Sequence, residues 1–138
     1  MGRILAIDYG KKKTGIAVSD PLKIIANGLT TVPTHQLFDF LDKYLIAEQV
    51  ECIVIGYPTQ STGEESESMR FITPFVNRFK KKYPQLPVEW VDERYTSKMA
   101  FQTMIDAGLK KSDRQNKNLV DQISATIILQ SYMEKQRI

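Results

Sequence analysis

The stretch Arg3-Ile-Leu-Ala-Ile-Asp8-Tyr9-Gly10-Lys-Lys-Lys13-Thr14-Gly15-Ile-Ala-Val-Ser-Asp20 decides the fold class. It opens as an apolar run that ends on a carboxylate, the pattern of a buried strand. A glycine turn with three lysines follows, and residues 14 to 19 read as a second strand. Asp8 is thereby delivered to a strand end beside Lys11, Lys12 and Lys13. Hard divalent cations take oxygen ligands and phosphates take cationic donors, so this pairing points to nuclease-like or phosphotransferase-like chemistry.

Outward from this stretch, residues 24 to 32 read as a third strand, reached through the turn Ser19-Asp20-Pro21, where Asp20 is a turn former. Thr34, after Pro33, is placed to cap a helix carrying Leu37, Phe38, Leu41, Tyr44 and Leu45 at helical spacing to about Gln49. Cys52-Ile-Val-Ile55 is a short buried strand ending at Gly56-Tyr57-Pro58, and residues 59 to 66 are a polar loop. Met69, Ile72, Phe75, Val76 and Phe79 then define one face of a second helix. Arg78, Lys80, Lys81 and Lys82 sit near its C-terminus, matching the helix dipole, and Pro84 stops it. Val88-Glu-Trp-Val91 is a fifth strand with Asp92-Glu93-Arg94-Tyr95-Thr96-Ser97 at its exit, Thr96 or Ser97 capping a short helix to Gly108. Residues 108 to 118 are polar and basic, and the last helix runs from about Asn118 toward Glu134, burying Leu119, Val120, Ile123, Ile127 and Ile128. Three consecutive strands followed by alternating helices and strands predict a three-layer mixed α/β sheet with helices on its faces.

The 138 residues, 42% apolar and 25% charged, suit one compact domain, 1–138, and leave no room for a two-lobed enzyme. A formal charge of +3 is far from that of a purely electrostatic nucleic-acid coat, so clustering of the charges carries the argument. Cys52 is the single cysteine, which excludes an intrachain disulfide and marks a small buried hydrophobe in a reducing compartment. The chain opens directly into a strand and has no apolar run of membrane-spanning length, which predicts a soluble cytoplasmic protein with no membrane partner.

Three acids fall where such a sheet can gather them: Asp8 leaving the first strand, Glu93 leaving the fifth, and Asp121 in the first turn of the last helix. Ser124 and Ala125, three and four residues beyond Asp121, leave its helix face small enough to approach the sheet. An all-oxygen cradle of this kind can hold one or two divalent ions, and no side-chain nucleophile is then needed. Local sequence leaves other roles open: Asp121 as a helix N-terminal charge, Glu93 as a loop acid paired with Arg94, Asp8 as a turn residue. Cations accompany each acid, Lys11, Lys12 and Lys13 beside Asp8, Arg94 beside Glu93, and Lys110, Lys111, Arg114 and Lys117 ahead of Asp121. Such a rim binds a polyanionic backbone with little sequence readout, and Tyr9, Tyr57 or Tyr95 can stack on an unpaired base. His35 lies far from the acids in sequence, so a catalytic role for it is disfavoured.

Taken together, Ile7-Asp8-Tyr9-Gly10 through Gly15-Ile-Ala-Val-Ser-Asp20, Ile55-Gly56-Tyr57-Pro58 with Gly63, Val91-Asp92-Glu93-Arg94-Tyr95-Thr96, and Val120-Asp121 with Ala125 and Ile128-Leu129-Gln130-Ser131-Tyr132 resemble the YqgF family, also called RuvX, of RNase H-like proteins. The resemblance runs from end to end of the chain. It implies an RNase H-like fold, a five-stranded sheet of an antiparallel three-strand meander plus two parallel strands, and a nuclease processing the 5′ end of pre-16S rRNA. It also implies Asp8, Glu93 and Asp121 as catalytic metal ligands, with Mg²⁺ or Mn²⁺ as cofactor and structured RNA or a pre-ribosomal particle as partner. Cleavage of a four-way DNA junction, after the family's similarity to RuvC, is the alternative activity, and a non-catalytic ribosome-assembly factor the alternative class. Lys13 stands where the family often carries Arg, keeping the charge without the bidentate fork. The strand ending at Gly56-Tyr57-Pro58 offers no carboxylate where RuvC-type resolvases place one.

Overall fold

The structure, a computed structural model, describes residues 2–57, 69–92 and 117–137. The elements are β1 (Arg3–Asp8), β2 (Lys13–Ser19), β3 (Ala26–Pro33), α1 (Leu37–Ala47), β4 (Val50–Tyr57), α2 (Met69–Lys82), β5 (Val88–Asp92) and α3 (Lys117–Arg137). The strands form a single sheet in the order β3-β2-β1-β4-β5. β1 is antiparallel to β2 and β2 to β3, while β4 pairs parallel with both β1 and β5. The meander plus parallel pair is therefore present, and the C-terminal ends of β1, β4 and β5 share one edge of the sheet.

Strand alternation splits the core into two layers. Leu5, Ile7, Ile16, Val18, Ile53 and Ile55 point to one face and pack with Leu37 and Leu41 of α1 and Ile72, Phe75, Val76 and Phe79 of α2. Ile4, Ala6, Ala17, Cys52, Val54 and Val91 point to the other, under Ala125, Ile128, Leu129 and Met133 of α3. Small Ala6, Ala17 and Ala125 lie fully buried between sheet and helix, so α3 rides close on the strands. Cys52 is the buried small hydrophobe its sequence context predicts, and burial pushes its thiol pKa up.

Asp20 closes the β2–β3 turn as expected: its Oδ1 accepts from the backbone N–H groups of Ile24 and Ile25, both at 2.7 Å. The cationic end of α2 does more than match a dipole. Lys82 pairs with Asp42 of α1 at 2.6 Å, and the Arg78 guanidinium lies 4.4 Å from the centre of the Phe38 ring, so both tie α2 to α1.

Three local expectations are corrected. Thr34 does not cap α1: residues 34–36 form a 3-10 turn without a side-chain cap, and the helix proper covers Leu37–Ala47. The Thr34 hydroxyl is drawn instead to the neighbouring β1–β2 turn. Asp121 is the fifth residue of α3 rather than a first-turn charge, because the helix already begins at Lys117. Finally, Ile123 is only half-buried, whereas Ser124, Ala125, Ile128 and Leu129 face the sheet. Apolar residues occur all around α3, so periodicity alone did not select a face, and close approach to the sheet favoured the small ones. The predicted loop at 59 to 66 and the short helix after Thr96 lie outside the described residues.

Candidate metal and nucleic-acid site

Asp8 is the last residue of β1 and follows Ile4 and Ala6 at the alternate positions that face α3. Its partner across the antiparallel pair is Gly15 of β2. A Cβ added to Gly15 would lie 2.2 Å from the Asp121 carbonyl oxygen and 3.1 Å from the Asp121 Cβ. The α3 backbone therefore rests directly on the strand at this one residue, an approach open only to glycine. Asp8, Gly15 and Asp121 thus stand in a row across β1, β2 and α3, and the two acids come from opposite ends of the chain.

Both acids line a cavity of about 390 Å³, together with Tyr9, Gly10, Lys11, Lys12 and Lys13 among the described residues. Asp121 is only 6% exposed, with Ser124 and Ala125 buried beside it. A carboxylate at that depth is not a solvated helix-end charge, and it engages in polar or electrostatic contacts within the fold, as do Asp8 and Lys13. The three lysines are exposed at the cavity rim.

The lysine turn is held in shape by its neighbours. A Cβ on Gly10 would meet the Lys13 carbonyl oxygen at 2.2 Å, so the loop folds back tightly on itself. Thr34 clamps it from the 3-10 turn that precedes α1: its N–H donates to Lys12 O at 2.8 Å, its hydroxyl donates to Gly10 O at 2.7 Å and lies 2.9 Å from the buried Thr14 hydroxyl. Tyr9 packs on Phe75 with ring centres 5.1 Å apart, and burial raises its pKa, so it stays a neutral phenol.

The structure thus brings together five of the sequence candidates: Asp8, Asp121, Lys11, Lys12 and Lys13. Glu93, Arg94, Lys110, Lys111 and Arg114 lie outside the described residues, as does Tyr95. Among the described residues no three His, Cys, Asp or Glu side chains gather as a metal-binding group. The acid pair nevertheless has the right chemistry for Mg²⁺ or Mn²⁺, since such ions are commonly held by one or two carboxylates together with water and substrate phosphates. Tyr57 packs edge-on against Trp90 with centroids 6.1 Å apart. His35 lines a different cavity from the acids. Sequence reading missed Gly15 as the helix seat and Thr34 as the turn clamp. An isolated glycine inside a strand pattern is the signal that could have found the first.

Residues 2–135 match the family model described as RuvX, Holliday junction resolvase. A Phocaeicola vulgatus protein is 66% identical over 137 residues, covering 99% of each chain, and is named "Putative pre-16S rRNA nuclease". Relatives under the same name from Bacteroides fragilis and Flavobacterium johnsoniae are 64% and 58% identical, covering 100% and 99% of each chain respectively. Among solved structures, Thermus thermophilus RuvC is similar at a TM-score of 0.55 with 14% identity, over 98% of this chain and 96% of that one. The same protein bound to a Holliday junction substrate matches at 0.53, over 99% and 96%. At that identity the likeness is one of fold, and the strand order and helix placement agree with an RNase H-like architecture.

Proposed function

Because the chain belongs to the RuvX family, we propose that it is a metal-dependent endonuclease that hydrolyses phosphodiester bonds in the 5′-end maturation of pre-16S rRNA. The observation that carries this reading is the convergence of Asp8 and Asp121 on one cavity rimmed by Lys11, Lys12 and Lys13. The names of the relatives supply the substrate.

Asp8 and Asp121 would hold Mg²⁺ or Mn²⁺, with Glu93 as third carboxylate. Glu93 directly follows Asp92, the last residue of β5, in the sequence. When bound, the ion supplies Lewis-acid chemistry, favouring deprotonation of water and neutralising charge on the scissile phosphate. The protein's own part is positioning. Lys11, Lys12 and Lys13 attract backbone phosphates and lay the strand across the cavity, giving salt-sensitive binding with little base readout. Gly15 seats α3 so that Asp121 stays opposite Asp8, because misplacement of a catalytic group by about 1 Å costs on the order of 100-fold in rate. Arg94, Lys110, Lys111 and Arg114 extend the cationic track. The chain works as one domain, 1–138, in the cytoplasm, and no described helix is long and apolar enough to cross a membrane.

The family's designation as a Holliday junction resolvase favours a second reading, cleavage of four-way DNA junctions. One assay separates the two: wild type and Asp8→Asn are incubated with a 5′-extended pre-16S fragment and with a four-way DNA junction, in Mg²⁺, Mn²⁺ or EDTA. Metal-dependent cutting of the RNA by wild type alone is expected. Preferential cutting of the junction would replace the substrate. Tight RNA binding with no cutting, unchanged in Asp8→Asn, would point to a non-catalytic assembly factor.

A further inference from the structure

A second cavity, of about 440 Å³, opens on the other side of the Gly10–Lys13 turn, between that turn and the α1 and α2 helices. Phe71, Pro74, Phe75 and Arg78 line it from one face of α2, at the i, i+3, i+4, i+7 spacing of a helical stripe, and Phe38 lines it from α1. Tyr9 and Lys11 line both this cavity and the acidic one, so the two adjoin at the turn. Among the described residues that line the second cavity there is no carboxylate.

Its composition departs from that of a core. Phe38 and Phe75 pack into the hydrophobic layer, but Phe71 is 44% exposed and belongs to neither core cluster. The cations at the lip rest on rings: Lys11 Nζ lies 5.3 Å from the Phe71 centroid and the Arg78 guanidinium 4.4 Å from that of Phe38. Neither forms a salt bridge to a described carboxylate, although Arg78 lies within electrostatic reach of Asp42. Exposed aromatic faces interleaved with cations make the stacking platform that single-stranded nucleic acid uses, and the volume is of small-ligand size. A paired base, held inside its duplex, does not reach such a recess.

We propose that this cleft takes an unpaired nucleotide of the RNA strand whose neighbouring phosphates occupy the acidic cavity. The base stacks on Phe71 and the Arg78 guanidinium, while Lys11 bridges the phosphates of the two cavities. The enzyme would thereby select cleavage sites next to a single-stranded extension rather than within continuous duplex. The inference rests on the nuclease reading and adds substrate selection to it.

The test measures equilibrium binding of the full chain, in EDTA to prevent cutting, to two RNA probes. One is a blunt duplex, the other the same duplex with a 5′ single-stranded extension containing 2-aminopurine. Wild type is expected to prefer the extended probe by about tenfold, with quenching of the 2-aminopurine fluorescence, from the usual strength of one base–aromatic stack. Phe71→Tyr keeps the preference and the quenching. Phe71→Leu, which preserves bulk and apolarity at an exposed site, loses both. Equal affinity of wild type for the two probes, or an undiminished preference in Phe71→Leu, overturns the cleft and leaves the nuclease reading standing. Failure of wild type to bind either probe likewise overturns the cleft, while the nuclease reading stands or falls on the cleavage assay in Mg²⁺ or Mn²⁺.

Discussion

Replacing Gly15 by alanine tests the geometry on which the site depends. The new Cβ would lie 2.2 Å from the Asp121 carbonyl oxygen, and ordinary van der Waals contact begins at 3.4 Å, so strand and helix must separate by roughly the difference of 1.2 Å along that direction. The obstructing atom is helix backbone and cannot rotate away as a side chain would. Overpacking of this kind costs about 1–3 kcal/mol, and for a chain of this size each kcal/mol lowers Tm by about 3–5 °C. Displacement by about 1 Å of a group that must be placed for chemistry costs on the order of 100-fold, so cleavage should fall further than stability does. The matched control is Gly28→Ala on β3 beneath the same helix. There the new Cβ meets Thr126 Oγ1 at 3.3 Å, a shortfall of only about 0.1 Å, while Gln122 Cβ at 3.5 Å and the Gln122 carbonyl oxygen at 3.7 Å are in ordinary contact. Urea unfolding and single-turnover cleavage would be measured for both variants. Gly15→Ala as stable and as active as Gly28→Ala would refute the close seating of α3 and, with it, the account of how Asp121 is positioned.

Thr34→Val keeps the shape but removes the hydroxyl that Gly10 O and the fully buried Thr14 Oγ1 share, so a loss of about 1–3 kcal/mol in urea unfolding is expected, with weaker nucleic-acid binding as the lysine turn loosens. Unchanged stability would remove Thr34 from the turn. Neutralising Lys12 and Lys13 together with glutamine should lower the slope of log affinity against log salt by about 0.7–0.9 per lysine, and an unaltered slope would show that these cations do not meet phosphate. The α1–α2 tie titrates at both ends of the pH scale. Hydrogen bonding from Lys82, and then from Tyr83, depresses the Asp42 pKa, so its contribution is present above the ordinary value of 3.8 and is lost as pH falls below it. Burial, and then the Asp42 carboxylate, push Tyr83 from 10.0 up to about 12, so its contribution is present below pH 10 and is lost as pH rises toward 12. Denaturation profiles of wild type and Asp42→Asn should differ most at neutral pH and converge at both extremes; a constant gap from pH 2 to pH 12 would contradict this assignment.

Much of the fold was legible because its strands are continuous apolar runs and its turns carry strong local chemistry. Arg3–Asp8 came out at its full length, and Asp20 was recognisable as a turn former from Ser19-Asp20-Pro21 alone. Local reasoning failed where a residue's partner lies far along the chain. Thr34 has the sequence of an N-cap, yet the nearby β1–β2 turn offers its hydroxyl a carbonyl and a second hydroxyl, and tertiary bonding won over local capping. Asp121 read locally as a helix-end charge, and its near-complete burial becomes visible only once α3 lies over β2.

By itself the sequence determined the order of elements, the mixed sheet and the three kinds of group the site needs, because periodicity, turn chemistry and charge clustering are properties of contiguous residues. Only the tertiary structure decided which of those groups meet. Asp8 and Asp121 become neighbours because β1 pairs with β2 in the register that sets Asp8 opposite Gly15, and because the missing side chain at Gly15 lets α3 descend onto the sheet there. The aromatic cleft, likewise, exists only because α2 packs across the sheet from α3, next to the lysine turn. Contacts between distant segments depend on register and close packing, neither of which is written in any one stretch of the chain.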